Sequence, residues 1–104
     1  MVEVLYTDEF EAWWDGLTGE EQESIAHDVN ILRVEGVSLR FPALLGHLQG
    51  RPYRVLYAFD SNRAAVLLIG GDKTGEKRWY EIFVPIADRL YDEHLSDLEK
   101  QNSG

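Results

Sequence analysis

The sequence predicts an α+β domain: an antiparallel sheet with an N-terminal helical hairpin and a C-terminal helix. Three observations carry that expectation. Tyr53–Phe59 alternates its rings and aliphatics with period two, then meets the turn residues Asp60-Ser61-Asn62-Arg63 and an apolar run from Ala64 to Ile69. Near the start, Thr7 and Thr18 each stand just before a helix-period stretch. Near the end, Ile86, Leu90, Tyr91, Leu95 and Leu98 fall on one helical face.

Taken in order, Val2, Val4 and Tyr6 alternate with Glu3, Leu5 and Thr7, which makes a short strand. Thr7 caps a helix whose broad apolar face holds Phe10, Trp13, Trp14 and Leu17, and Asp15-Gly16 ends it. Thr18 with Glu21 forms a capping box and opens a second helix. Ile25, Val29 and Leu32 lie on its inner face, and Gly36 is its natural stop. So short a link makes a helical hairpin that packs on a sheet.

Residues 37–52, "VSLRFPALLGHLQGRP", read as loop, with a short strand or turn around Leu44 to Gln49. On the next strand Tyr53, Val55, Tyr57 and Phe59 share one face, and Arg54, Leu56 and Ala58 the other. Its partner, Ala64–Ile69, is almost wholly apolar and is expected at the sheet centre, covered on both faces. Gly70-Gly71 suits a tight reversal, Arg78–Val84 resumes an extended pattern, and Pro85 starts the last helix. The expected order is β-α-α-(β)-β-β-β-α, one domain over residues 1–104.

Twelve aromatic residues and a hydrophobic content of 44% suit a packed core, not a disordered chain. With no cysteine, disulfides and thiolate metal sites are excluded, which fits a reducing compartment. Met-Val-Glu-Val does not read as a signal peptide, and the run Ala64–Ile69 is too short to span a bilayer. The expectation is a cytoplasmic protein with no membrane association.

Net charge is −9, yet it is unevenly spread. Residues 1–50 hold ten acids against Arg33 and Arg40, and residues 79–104 hold six against Arg89 and Lys100. Between them, Arg51, Arg54, Arg63, Lys73, Lys77 and Arg78 face only Asp60, Asp72 and Glu76. A local basic patch on an acidic body can hold a phosphate, with little long-range steering.

Several motifs fail on inspection. Asp72-Lys73-Thr74-Gly75 resembles the phosphorylation motif of ion-pumping ATPases, but Glu76 stands where that motif needs threonine. The chain is also too short for the nucleotide domain such pumps require. No Gly-Lys-Ser/Thr follows the glycines at P-loop distance. His27, His47 and His94 are scattered without zinc-type spacing, so no metal or cofactor is expected. What remains is the cation group of the Gly70–Tyr80 stretch beside Trp79 and Tyr80, with Arg54 on the neighbouring strand. Cations around a phenol can hold a phosphate and a stacked base; a solvated loop is the plainer alternative.

"GRPYRVLYAFD", then "AVLLIGGDKTGEKRWY", then "PIADRLYDEHL" resembles the HigB-like branch of the RelE/ParE toxin superfamily. The resemblance is dense from Gly50 to Leu95, and the N-terminal layout agrees. It implies a toxin of a type II toxin–antitoxin system, an endoribonuclease that cuts messenger RNA, usually on the ribosome, without a metal. It also implies a neutralising antitoxin, here expected to be a helix-turn-helix protein.

Such cleavage needs the ribose 2′-oxygen to lose a proton, the 5′-oxygen to gain one, and fixed donors to offset charge on the phosphorane. By resemblance Arg54 is the phosphate-stabilising arginine, Lys73 the cation after the glycines, and Tyr80 the late tyrosine at the ribose. Arg51, Lys77, Arg78 and Trp79 are further RNA contacts, with Trp79 the alternate for the tyrosine.

The sequence departs from its relatives in one place. "FPALLGHLQGRP" replaces a longer segment that carries a basic loop and another strand, and offers only His47 and Arg51 in its stead. A sheet edge beside Leu44, Leu45 and Leu48 would then be open, which predicts a homodimer or a strand-like partner contact there. The alternative function is a catalytically weakened or inactive toxin-fold protein that binds an antitoxin or self-associates.

Overall fold

The computed structural model of the protein describes residues 1–36, 53–73, 75 and 77–102. The strand or turn expected around Leu44–Gln49, and the open edge beside Leu44, Leu45 and Leu48, lie outside the described residues. The elements run β1 (Val4–Tyr6), α1 (Asp8–Asp15), α2 (Gly19–Glu35), β2 (Tyr53–Phe59), β3 (Ala65–Asp72) and α3 (Trp79–Asn102). The α+β class and the N-terminal helical hairpin are as the sequence predicts.

Both helix starts are built by their caps. The Thr7 hydroxyl accepts from the Phe10 amide at 3.0 Å and donates to the Leu68 carbonyl at 2.6 Å, so one side chain opens α1 and ties it to β3. At α2, Thr18 Oγ1 accepts from the Glu21 amide and Glu21 Oε1 accepts from the Thr18 amide, a complete capping box. The other Glu21 carboxylate oxygen accepts from the Tyr53 hydroxyl, linking the first turn of α2 to the first residue of β2. Gly36 ends α2 at φ 62°, a left-handed conformation that favours glycine.

The strand order is β1-β3-β2. β2 and β3 form the expected antiparallel hairpin, and β3 is the central strand. β1, however, pairs with β3 in parallel, Val4 opposite Ala65 and Tyr6 opposite Leu67, so the sheet is mixed and not antiparallel throughout. The reason is topological. Two helices intervene between β1 and the hairpin, and a long crossover returns the chain in the same direction, as a parallel pair requires.

The two sheet faces bury separate clusters. On one, Phe10 of α1 and Ile25 and Leu32 of α2 pack on Val55, Tyr57, Ala65 and Leu67. On the other, Trp79, Ala87 and Leu90 of α3 pack on Leu56, Ala58, Val66 and Leu68. Tyr57 is fully buried in the first cluster, and burial pushes its phenol pKa up. β3 is thus covered on both faces, as its apolar run requires.

The largest departure from the sequence reading is at residues 78–84. They are not extended: α3 begins at Trp79 and runs as one 24-residue helix with Pro85 inside it, so Pro85 starts nothing. The aromatic and β-branched residues between Trp79 and Val84 have the composition of a strand, but Trp79, Phe83, Ala87 and Leu90 carry the helical period that packs on the sheet. Proline in a helix interior costs about 3 kcal/mol, an amount the burial of rings on both sides of it can offset. Among the described residues, no helix is long and apolar enough to cross a membrane.

Candidate functional site

β3 carries one residue more than β2. Leu56 pairs with Ile69 and Tyr57 with Leu67, which leaves Leu68 as a bulge. Leu68 and Ile69 therefore share a face, and every later residue of β3 changes sides. Thr7 marks the place, its amide donating to the Leu67 carbonyl and its hydroxyl to that of Leu68.

That change of phase explains the glycine pair. Gly70 and Gly71 are not a reversal; both lie within β3. A Cβ on Gly70 would sit 2.4 Å from the Trp13 ring, on the α1 side. A Cβ on Gly71 would meet Trp79 Nε1 and Phe83 at 3.1 Å, on the α3 side. The strand end is bare on both faces because an indole covers each one.

The cations gather at this end. Arg54 stands opposite Gly71 and Tyr53 opposite Asp72, and Lys73 follows directly after β3. The Lys73 ammonium lies 5.1 Å from the centroid of the Tyr80 ring, within cation–π range. Arg54 Nη1 donates to the Tyr53 carbonyl at 3.1 Å. Lys77 and Arg78 are exposed just ahead of α3, whose first-turn N–H groups favour an anion. Arg78 Nε donates to Glu81 at 2.7 Å; the pair is exposed and contributes little to stability, but it partly neutralises that cation.

So Arg54, Lys73 and Tyr80 share one end of the sheet, with Lys77 and Arg78 at its rim. Arg51 lies outside the described residues. Trp79 differs from expectation. It is 1% exposed, stacked on Phe83 at 4.6 Å and edge-on to Tyr80 at 5.0 Å. In an extended segment Trp79 and Tyr80 would point to opposite faces, leaving one ring outside the core. In the helix Trp79 is the inward ring, with no face open to a base, and Tyr80 is the half-buried one.

Sequence reading missed a second polar arrangement, at the opposite end of the sheet. Asp60 is only 7% exposed, and its Oδ1 accepts from the Asn62 and Ala64 amides at 2.9 and 3.0 Å. Its Oδ2 lies 2.8 Å from His94 Nε2 of α3. Burial works against ionisation of Asp60. The His94 hydrogen bond and the two amides outweigh it and hold the carboxyl below its ordinary value. The turn composition pointed to Asp60, but nothing in the spacing pointed to His94. Among the described residues, no group of three or more His, Asp or Glu side chains could hold a metal ion.

Comparison with known proteins identifies the family. Residues 12–92 match the family described as "Phage derived protein Gp49-like (DUF891)". The chain is 33% identical over 106 residues to a Mycobacterium tuberculosis (strain ATCC 25618 / H37Rv) protein named as a toxin, HigB3; the match takes in 89% of this chain and 93% of that one. It is also 33% identical over 104 residues to HigB2 of the same organism, likewise named as a toxin. That match takes in 85% of this chain but 52% of HigB2, so the chain spans about half of that relative. No solved structure gives a significant match. The chain therefore belongs to the Gp49-like family and is a HigB-like toxin of a toxin–antitoxin system.

Proposed function

We propose that this toxin is an endoribonuclease that cuts messenger RNA on the ribosome without a metal, and that the end of the sheet holding Arg54, Lys73 and Tyr80 is its active site. The observation that carries the reading is the Lys73 ammonium over the Tyr80 ring, beside the Arg54 strand. Within it, the ribose 2′-oxygen attacks its own phosphorus as the bond to the 5′-oxygen breaks. Arg54 and Lys73 offset charge on the phosphorane, and Tyr80 orients the ribose or exchanges its proton. Lys77 and Arg78 bind flanking phosphates. An antitoxin goes with the family; a helix-turn-helix antitoxin encoded alongside is part of this proposal, as is a cytoplasmic site of action.

Removing one preorganised donor from such a site costs about a hundredfold or more in rate. Arg54→Ala and Tyr80→Phe are expected to lose at least that much cleavage of ribosome-bound messenger RNA and to relieve growth inhibition on expression. Lys100→Ala, on the last turn of α3, is expected to change neither.

A second reading, a toxin-fold protein that binds antitoxin without cutting RNA, is favoured by the −9 charge and by the Arg78–Glu81 pair. A wild-type chain that neither slows growth nor cuts RNA with ribosomes present would decide for it. Toxicity that survives both site substitutions would instead show that the chemistry lies elsewhere.

A further inference from the structure

Tyr80 is held through a closed ring of contacts. Gly71 leaves a bare patch of β3 backbone, and the Trp79 indole and Phe83 ring close over it. The indole stacks on Phe83 at an interplanar angle of 16° and meets Tyr80 edge-on at 83°. Tyr80 in turn carries the Lys73 ammonium, and Lys73 lies two residues past Gly71 on the same chain. Gly71, Trp79, Tyr80 and Lys73 thus define one another's places.

Burial of the ring stabilises the fold, but the polar atom of an indole works against it. Trp79 Nε1 is buried and has no hydrogen-bond partner among the described residues, and a buried donor left unpaired is destabilising. A phenylalanine would fill an apolar slot without that cost. What the indole adds is extent: it stacks on Phe83 and also meets the Tyr80 ring at nearly a right angle.

Resting on the ribonuclease reading above, we propose that Trp79 is a positioning residue that sets the Tyr80 phenol against the Lys73 cation, and that Gly71 is glycine to admit it. At 1% exposure Trp79 touches no substrate; it acts through Tyr80. Trp13 is the natural comparison. It covers Gly70 on the opposite sheet face and packs with Phe10 and Tyr53.

The test compares Trp79→Leu, Trp79→Phe and Trp13→Leu in the full chain, with melting temperatures measured alongside cleavage of ribosome-bound messenger RNA. Displacing a reacting group by an ångström can cost about a hundredfold. Trp79→Leu is expected to lower kcat about tenfold or more with KM within about twofold, and Trp79→Phe to recover part of that loss. Trp13→Leu is expected to lose melting temperature and keep its kcat. Equal losses of kcat in Trp79→Leu and Trp13→Leu at matched melting temperatures would overturn the proposal.

A readout independent of activity separates this proposal from the reaction it serves. In the wild type, Lys73→Met is expected to shift the Tyr80 ring resonances by NMR; in a Trp79→Leu background the same change is expected to leave them unmoved. If the wild type cuts no RNA but this dependence holds, the ribonuclease reading fails and the positioning stands. If Tyr80 responds to Lys73→Met equally with and without the indole, the positioning role is wrong.

Discussion

Arg63 adopts φ 63°, a left-handed conformation unusual for a residue with a Cβ. It closes the β2–β3 hairpin, its amide donating to the Asp60 carbonyl at 2.9 Å. Glycine is the usual occupant of such a place, and the strain on a non-glycine residue is about 1 kcal/mol or somewhat more. Arg63→Gly is expected to relieve it while loosening the unfolded chain, a net gain of about 0.5 kcal/mol that urea unfolding can measure. At this scale the caps were legible in the sequence, because Thr7, Thr18 and Glu21 act on amides three residues away. The αL conformation of Arg63 and the contact of His94 with Asp60 were not, since each depends on partners brought in by the fold. Arg54, Lys73 and Tyr80 were legible as a group because cations cluster in sequence around a hairpin that superposes its ends.

β3 shows how far an element can depart from its own periodicity. Its apolar run marked it as the central strand, and it is one. The bulge at Leu68 was invisible, and so was its effect on Gly70 and Gly71, because pairing partners decide on which strand an extra residue falls. Gly70→Ala is expected to destabilise the protein by about 1–3 kcal/mol, since the new Cβ would sit 2.4 Å from the Trp13 ring. Placed in a Trp13→Leu background, the same change is expected to cost clearly less; equal costs in urea unfolding would show that the ring does not limit the site. The start of α3 was misread for the opposite reason. Its aromatic and β-branched composition suits a strand, and the helical spacing of the buried Trp79, Ala87 and Leu90 shows only over a longer stretch.

Across the whole molecule α3 spans the sheet and is fixed to it at both ends. Trp79 closes over Gly71 at one, while at the other the Tyr91 hydroxyl donates to the Phe59 carbonyl at 2.6 Å and His94 meets Asp60. Glu3, Asp97 and Gln101 border the same cavity of about 440 Å³ as Asp60 and His94. Because the folded state lowers the Asp60 pKa, its contribution is present above the ordinary value of 3.8 and is lost as pH falls through the lowered one. Asp60→Asn is expected to be less stable than wild type near neutral pH, with the gap closing below that value in thermal melts. A gap that persists in acid would mean that Asp60 acts by shape and not by charge. The parallel pairing of β1 has a further consequence, for the order in which the chain can fold. Thr7 and the Leu68 carbonyl it bonds are 61 residues apart in sequence, whereas β2 and β3 are joined by a short turn. Closing the hairpin is entropically cheap and recruiting β1 is not, so the N-terminal strand docks late. During synthesis from the N-terminus, the ring-bearing face of α1 must wait uncovered for a strand translated much later. That interval is when the nascent toxin is most exposed to aggregation or capture.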